Sequence, residues 1–418
     1  MSTTRRPPRS AIVAGAGMVG LSAAWFLQDA GVDVTVVERH EPAAGSSWGN
    51  AGWIFPGLAV PLPEPAVLRY GLRSLTDRTS ALYIPPSFDP GLWAFLARFA
   101  RHCTRRRWHA AMRAYVGVNE AAFDAFDRLT DGGVAAETVR SPILAAFNDS
   151  EEGSGLRREL EMVASAGQHL EVTALDAEAA RAAVPQLSWR VGYALLVSGQ
   201  RYIDPGRFVL ALARSVGERG GVVRSGWDVT GIGPAPGGGV RLRCVAGEHL
   251  DADVAVVATG AWLDQLVAGL GVRTPVRAGR GYSFSVRTAA AVPSPVYFPR
   301  PRVACTPYRG GLRIGGTMEL RSPDAPLRRD RLEALLASAR PLLAGVDWDS
   351  VTDTWVGPRP ITPDGMALVG ATNDPAVFVA GGHGMWGITL GPASGRLLAD
   401  QIVTGRMPDA LGPFDPRR

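Results

Sequence analysis

Lysine is absent from all 418 residues; the 44 basic side chains are arginines, set against 39 acidic ones. That absence excludes whole reaction classes. No pyridoxal Schiff base can form on a side chain, and no lysine is present for a Walker-type or kinase-type phosphate site. Cysteine is scarce: Cys103, Cys244 and Cys305 are far apart and odd in number. A disulfide framework is not expected, and a reducing cytoplasm is the default. The six histidines, His40, His102, His109, His169, His249 and His383, form no ligand-spaced cluster with Cys or Asp, so no metal site is expected. No apolar run reaches the ~18 residues of a membrane-spanning helix. The net charge of +5 is small for this length. An all-arginine bias of that size reads as GC-rich coding, and nucleic acid is not expected as a partner.

The rest of the composition describes an enzyme-sized chain with a large core. Hydrophobic residues make up 46% and charged ones 20%, and the length favours two domains. Residues 1–9 are basic and lack an apolar core, so they read as a frayed tail rather than a secretory signal.

Order begins at Ser10. Ala11 to Ala14 is a short apolar strand running into Gly15-Ala16-Gly17-Met18-Val19-Gly20. A helix with a broad apolar face follows to about Gly31. Val32 to Val37 is a second strand, closed by Glu38, which lies 18 residues after the third glycine. Gly15 allows the tight turn, Gly17 lets the backbone approach a pyrophosphate, and Gly20 lets helix and strand pack closely. The helix N-terminus offers N–H groups to the phosphates, and Glu38 suits a ribose diol. The pattern predicts dinucleotide binding. An acid at this strand end disfavours NADP, and NAD and FAD both fit the motif.

Further along, residues 41–65 read as an irregular Gly, Pro and Ser-rich loop. Asp89-Pro90 and Asp204-Pro205 are helix starts. Residues 89–129 read as an amphipathic helix pair whose basic face includes Arg98, Arg101 and Arg105; a membrane-surface role is an alternative to simple solvation. Val254 to Val257 is a buried strand leading to Ala258-Thr259-Gly260. Residues 275–318 read as antiparallel strands, Leu327 to Ser338 as a helix, and Gly391 to Val403 as the last helix. Two more segments stand out: the rigid turn Gly357-Pro358-Arg359-Pro360-Ile361-Thr362-Pro363-Asp364-Gly365, and the glycine-dense run from Ala380 to Gly391.

Together these motifs resemble the glycine oxidase and D-amino-acid oxidase superfamily. Within it, the chain is most similar to the small-subunit type of D-amino-acid dehydrogenase. Ser47-Trp48-Gly49-Asn50-Ala51-Gly52, Arg280-Gly281-Tyr282-Ser283, Arg359 to Gly365 and His383 to Thr389 carry the resemblance, which runs from about residue 10 to 405. It implies an α/β plus α+β fold, with a discontinuous Rossmann-like FAD-binding domain and a mixed, largely antiparallel substrate domain. The expected boundaries are 10–85, 195–270 and 345–418 for the FAD domain, and 86–194 and 271–344 for the substrate domain.

The resemblance implies non-covalent FAD. Its binding residues would be Gly15, Gly17, Met18, Val19, Gly20, Glu38 and Arg39; Ser46, Ser47, Asn50, Ala51 and Gly52; Val229, Thr259 and Gly260; and Gly382, His383, Gly384, Gly387, Ile388 and Thr389. It also implies hydride transfer from the α-carbon of an amino acid to flavin N5, giving an imine that hydrolyses to a 2-oxo acid and ammonia. Arg359, Tyr282 and Trp386 are the expected catalytic residues. An arginine fork matches a carboxylate bidentately; the alternative for Arg359 is a structural pair with Asp364.

The chain departs from the glycine-oxidase pattern in two ways and from sarcosine-oxidase-like relatives in a third. Ala304 or Cys305 stands where a carboxylate-binding tyrosine is expected, leaving Tyr282, Tyr297 or Tyr308 to supply a hydroxyl. Met385 replaces a second arginine. The lysine that speeds oxygen reaction in sarcosine-oxidase-like relatives has no counterpart. That last gap favours a dehydrogenase passing electrons to a quinone or other carrier. His383 is read as a cofactor-turn residue rather than a base. Trp53 and Trp386 are read as pocket walls or core. The competing readings are oxidation of a secondary amine or L-amino acid, a non-catalytic flavin subunit, and a flavin-dependent nucleic-acid modifier. The expected location is cytoplasmic, with peripheral membrane contact left open.

Overall fold

The computed structural model describes residues 7–68 and 80–418. Two large sheets organise them. The first has six strands in the order Val222–Arg224, Asp33–Val37, Ser10–Ala14, Val254–Val257, Val377–Gly381, Leu368–Ala371. The first five run parallel, and the last pairs antiparallel. Val254–Val257 and Val377–Gly381 are buried along their whole length. Unbroken apolar runs of this kind belong to a sheet covered on both faces.

One face carries the helices Met18–Asp29, Pro205–Glu218 and Gly387–Thr404. The first and last cross closely. A Cβ on Gly391 would lie 2.9 Å from Met18 Cγ, and one on Gly395 would lie 2.7 Å from Ala23 N. The other face is covered by the antiparallel sheet of Val229–Pro234, Val240–Cys244 and His249–Ala252, with Leu263 and Val267 beside it.

The second sheet has nine strands and is mostly antiparallel. Its main path is Val346–Ile361, Arg277–Thr288, Gly311–Leu320, Val303–Tyr308, Val296–Phe298, Ile143–Phe147, Tyr193–Val197, Val172–Asp176; Leu82–Tyr83 pairs with Gly311–Leu320. Strand alternation gives it two distinct faces. Tyr282, Phe284, Val296, Val303, Cys305 and Ile314 point into one apolar core. Residues of the opposite parity, including Gly281, Ser283, Ala304 and Thr306, face the loop that follows the first nucleotide-type unit: Ser283 Oγ donates to Gly49 O at 2.8 Å, and Thr306 Oγ1 to Ala51 O at 2.7 Å.

Several elements stand where sequence reading put them. Asp89 and Asp204 cap their helices by accepting from Gly91 N at 2.8 Å and Arg207 N at 3.1 Å. Others do not. The last helix begins at Gly387, not Gly391, because the chain leaves the left-handed turn at Gly382 and Gly384 (φ 70° and 56°) and enters the helix at once. Val346–Ile361 belongs to the nine-stranded sheet, although the expected boundary put it with the cofactor domain; it pairs with Arg277–Thr288. The helices Arg105–Glu120 and Ala122–Asp131 lie inside the stretch assigned to the substrate domain. Their apolar faces, with Trp108, Met112, Tyr115 and Phe126, instead pack into the core of the six-stranded unit. Both differences arise from long-range packing of segments whose local pattern suits either layer. Of the expected tail, Arg9 is tied into the sheet by Asp33 N donating to its carbonyl at 2.9 Å; residues 1–6 lie outside the described residues.

Candidate cofactor and substrate site

A cavity of about 1130 Å³, part of it open to solvent, runs along the carboxyl ends of the parallel strands. Open parallel sheets place ligands there, where strand order reverses.

At one end the first glycine turn forms the wall. Gly15 has φ 109°, and a Cβ there would lie 2.5 Å from Ala258 O. Gly20 does not line the cavity; a Cβ on it would strike Gly15 O at 2.0 Å, so its role is to let the helix sit on the turn. Gly17, Met18 and Val19 line the cavity at the start of the helix Met18–Asp29. Ser47 Oγ accepts from Met18 N at 3.2 Å. The Glu38 carboxylate lies beside them, accepting from Ala16 N at 2.8 Å and His40 N at 3.0 Å. Arg39 stands over the Trp262 ring at 4.1 Å, with Asp324 3.4 Å from its guanidinium. Val229, Thr259 and Gly260 complete this end.

At the other end, Ser46, Asn50, Arg359, His383, Gly384, Gly387 and Ile388 line the wall. Asn50 Oδ1 accepts from Gly52 N at 3.0 Å, which shapes the loop. Ala51 and Gly52 lie outside the cavity and fasten that loop to neighbouring strands: Thr306 Oγ1 donates to Ala51 O, and Ile203 N donates to Gly52 O at 2.8 Å. Thr389 is likewise a fastener, with Oγ1 donating to Trp53 O at 2.9 Å. Gly382 supplies the positive φ that turns the chain toward the helix.

The half-buried Arg359 is aimed by its neighbours. Ser46 Oγ donates to Pro358 O, and Gly384 N donates to Pro360 O at 2.8 Å. Its guanidinium lies across Gly281, where a Cβ would come within 2.1 Å of Cζ, and Nη1 donates to Thr317 O at 2.9 Å. Among the described residues no carboxylate forms an ion pair with it; Asp364 pairs with Arg418 at 2.9 Å instead. Burial pulls the Arg359 guanidinium down to about 10, so it stays charged at neutral pH.

Two expected catalytic residues are elsewhere. Tyr282 points to the far face of the nine-stranded sheet, where its hydroxyl donates to the buried Glu319 at 2.6 Å. Period-2 alternation opposes it to Gly281 and therefore to Arg359. Burial first, and then this bond, push its phenol up to about 12. Trp386 precedes the last helix outside the main cavity; Nε1 donates to Val60 O at 2.8 Å, and the ring walls a small adjoining pocket with Leu62, Ile361 and Met385.

His383 separates the two spaces. Its Nε2 is 3.0 Å from Ser394 Oγ, and Nδ1 is buried without a partner among the described residues. Burial draws its imidazole from the ordinary 6.5 down to about 4, so the ring is neutral at pH 7. Between those values the unfolded chain binds the extra proton, so stability falls as pH drops through that window. The loss approaches about 3 kcal/mol by the bottom of it. Replacing His383 with Gln is expected to flatten the change in melting temperature between pH 7 and 5; equal losses in wild type and variant would refute this assignment.

The wall residues left out of the expected binding set, some of them inside segments the sequence singled out, are of two kinds. Val37, Ala258, Ala380 and Gly381 stand at or just beyond carboxyl ends of parallel strands, a position the open-sheet rule picks out once strand order is known. Trp227, Asp228, Gln265 and Leu266 arrive by packing of the small antiparallel sheet and its helix, with no local signal.

The residues present suit a dinucleotide with a reactive ring at the Arg359 end. Two helix N-termini open on one cavity, the turn at Gly15 leaves no room for a side chain, and Thr259 Oγ1 is a buried hydroxyl on the cavity wall with no partner among the described residues. Fold and cavity thus define a dinucleotide-binding protein of the two-sheet kind. The family model described as DAO, FAD dependent oxidoreductase, matches residues 10–401, and the chain belongs to that family. It is 32% identical to a D-amino acid dehydrogenase of Xanthobacter autotrophicus, over 95% of this chain and 96% of that one. It is 33% identical to one from Cereibacter sphaeroides, over 95% and 92%. The glycine oxidase structure from Geobacillus kaustophilus shares the fold with a TM-score of 0.74 at 22% identity, covering 99% of both chains. The cofactor is therefore FAD, and the protein is an oxidoreductase. Among the described residues no helix is long and apolar enough to cross a membrane.

Proposed function

We propose that the protein is an amino-acid dehydrogenase that oxidises the Cα–N bond of a D-amino acid to an imine, which water converts to a 2-oxo acid and ammonia. Bound FAD supplies the hydride acceptor at N5 of its isoalloxazine. The chain's own residues bind and orient the substrate. The observation that carries the reading is Arg359, a guanidinium on the cavity wall with no carboxylate partner among the described residues. A substrate carboxylate completes its fork and fixes the α-carbon relative to the flavin end of the cavity. Neutral His383 adds no charge there. Only the amine that has released its ammonium proton to water can give up the hydride, and from that neutral form the step needs no protein base. The names of the relatives at 32–33% identity support the D-amino acid assignment.

The absence of lysine supports a quinone or other carrier rather than oxygen as acceptor. Phe88 and Trp93 stand exposed on the segment that also carries exposed Arg98 and Arg101, which supports peripheral contact with an anionic membrane surface from the cytoplasmic side.

Anaerobic addition of D-, L- and N-substituted amino acids to the purified yellow protein tests the reading. D-amino acids are expected to bleach the flavin, and a quinone to restore its colour faster than oxygen does. Bleaching by L- or N-substituted amino acids alone would overturn the substrate assignment, and faster recovery with oxygen the acceptor.

A further inference from the structure

One transverse row of the nine-stranded sheet combines bulky ends with an empty middle. Directly opposed residues run Trp355, Ser283, Gly315, Ala304, Tyr297 across five strands. Such residues project from the same face. Arg359 shares that face, since it lies two alternations beyond Trp355 and rests on Gly281.

Gly315 is buried in mid-strand, where glycine weakens a sheet unless something approaches closely. Protein packing does not explain it. A Cβ there would meet only Ser283 Cβ at 3.6 Å and Tyr282 O at 3.7 Å among the described residues, both ordinary contacts. Gly279, Gly281 and Gly316 differ: a Cβ on each would collide with Ile361, Arg359 or Leu335 at 2.1, 2.1 and 2.7 Å. Ala304 also stays partly exposed although strands flank it on both sides. The row is therefore open above Gly315 and Ala304. Tyr297 closes it, its ring 5.8 Å from Trp53 in an edge-to-face pair. Trp53 is held by Nε1 donating to Thr306 Oγ1 at 2.9 Å.

We infer that Ser283, Gly315 and Ala304 form the floor of the subsite for the substrate's side chain, and that Tyr297, backed by Trp53, sets its length. This rests on Arg359 holding the substrate carboxylate. With strands ~4.8 Å apart, the floor spans about two strand spacings before the Tyr297 ring. The Ser283 hydroxyl is taken up by Gly49 O at 2.8 Å, and methyl, glycine and aromatic surfaces form the rest, so it takes an apolar side chain. Of the three tyrosines left open by sequence, Tyr282 is on the wrong face, and Tyr308 has Arg313 stacked on its ring at 4.3 Å and its hydroxyl directed to Asp353 at 3.4 Å.

The test uses FAD-loaded enzyme with D-alanine and D-phenylalanine. Ala304→Leu is expected to lower kcat/KM for D-phenylalanine relative to D-alanine about tenfold or more, mainly through KM. Tyr297→Ala should shift the same ratio at least as far in the opposite direction. Tyr297→Leu, a smaller truncation, should shift the ratio the same way by less and carries the test if the alanine variant does not fold, while Tyr297→Phe, which keeps the ring, should leave it unchanged. Ratios that stay put in both Ala304→Leu and Tyr297→Ala would overturn the inference. So would loss of FAD from Ala304→Leu, because the floor would then lie under the cofactor. Should the wild-type flavin bleach only with L-amino acids, the D assignment fails by itself, and the same ratios measured with L-alanine and L-phenylalanine still decide the subsite.

Discussion

Arg359→Ala is expected to lower kcat/KM with D-amino acids about a thousandfold while FAD stays bound. Truncating one member of a desolvated, hydrogen-bonded charge pair costs about 2–5 kcal/mol, and 4 kcal/mol corresponds to roughly three powers of ten. The loss should appear in KM and kcat together, because the same contact binds the carboxylate and orients the α-carbon. Arg359→Lys keeps the charge and loses the fork, so it should fall between the two. The surroundings favour a clean result. Gly281 leaves a bare strand beneath the guanidinium, and among the described residues its hydrogen bond goes to Thr317 O, so truncation strands no acidic partner. Tyr282→Phe is the contrasting variant. It should leave KM alone and lower stability by about 1–3 kcal/mol, since buried Glu319 loses one of its two donors and keeps Arg280 Nη1 at 3.2 Å. Steady-state kinetics with a dye acceptor, flavin absorbance and thermal melts measure all three. An Arg359→Ala enzyme with near-normal KM would sink the clamp.

Gly15→Ala should abolish tight FAD binding, weakening it more than about a hundredfold, and should destabilise the apoprotein by about 2–4 kcal/mol. Two independent penalties meet there. The backbone sits at φ 109°, where an L side chain is strained, and the new methyl would lie 2.5 Å from Ala258 O and 2.9 Å from its carbonyl carbon. Relief requires the strands Ser10–Ala14 and Val254–Val257 to part, and their parallel pairing forms the middle of the sheet. Gly17→Ala separates the effects. Its Cβ would meet only Ser47 Oγ at 3.5 Å, so the apoprotein should keep its melting temperature while the methyl intrudes on the cofactor's side of the turn. Flavin fluorescence titration and apoprotein melts read the two variants. Normal FAD affinity in Gly15→Ala would show that the turn is not what holds the cofactor.

The N-terminal unit was legible because every constraint on it is local. Strand, glycine turn, helix and acid fall within residues 10–38, and each glycine answers to a neighbour close in sequence or to the adjoining strand. Arg359 was legible for a related reason, since flanking prolines and a following Thr-Pro-Asp-Gly turn mark a stiff segment built to aim one side chain. Ala51, Gly52 and Thr389 were found by motif as cofactor residues, but their hydrogen bonds go to other parts of the chain. A motif records that a loop must keep its shape, and says nothing of which atoms touch the ligand.

By itself, then, the sequence determined a lysine-free chain with a dinucleotide turn at one end, a stiff arginine segment near the other and a glycine-dense entry to the last helix. Tertiary structure decided which side chains meet. Tyr282 and Arg359 are 77 positions apart, and whether they share a face depends on the register between Arg277–Thr288 and Val346–Ile361. A one-residue change in that register would exchange the two faces. The pairing is settled by packing of the whole sheet on its apolar core, and so it assigned Tyr282 to Glu319 and left Tyr297 on the side of Arg359.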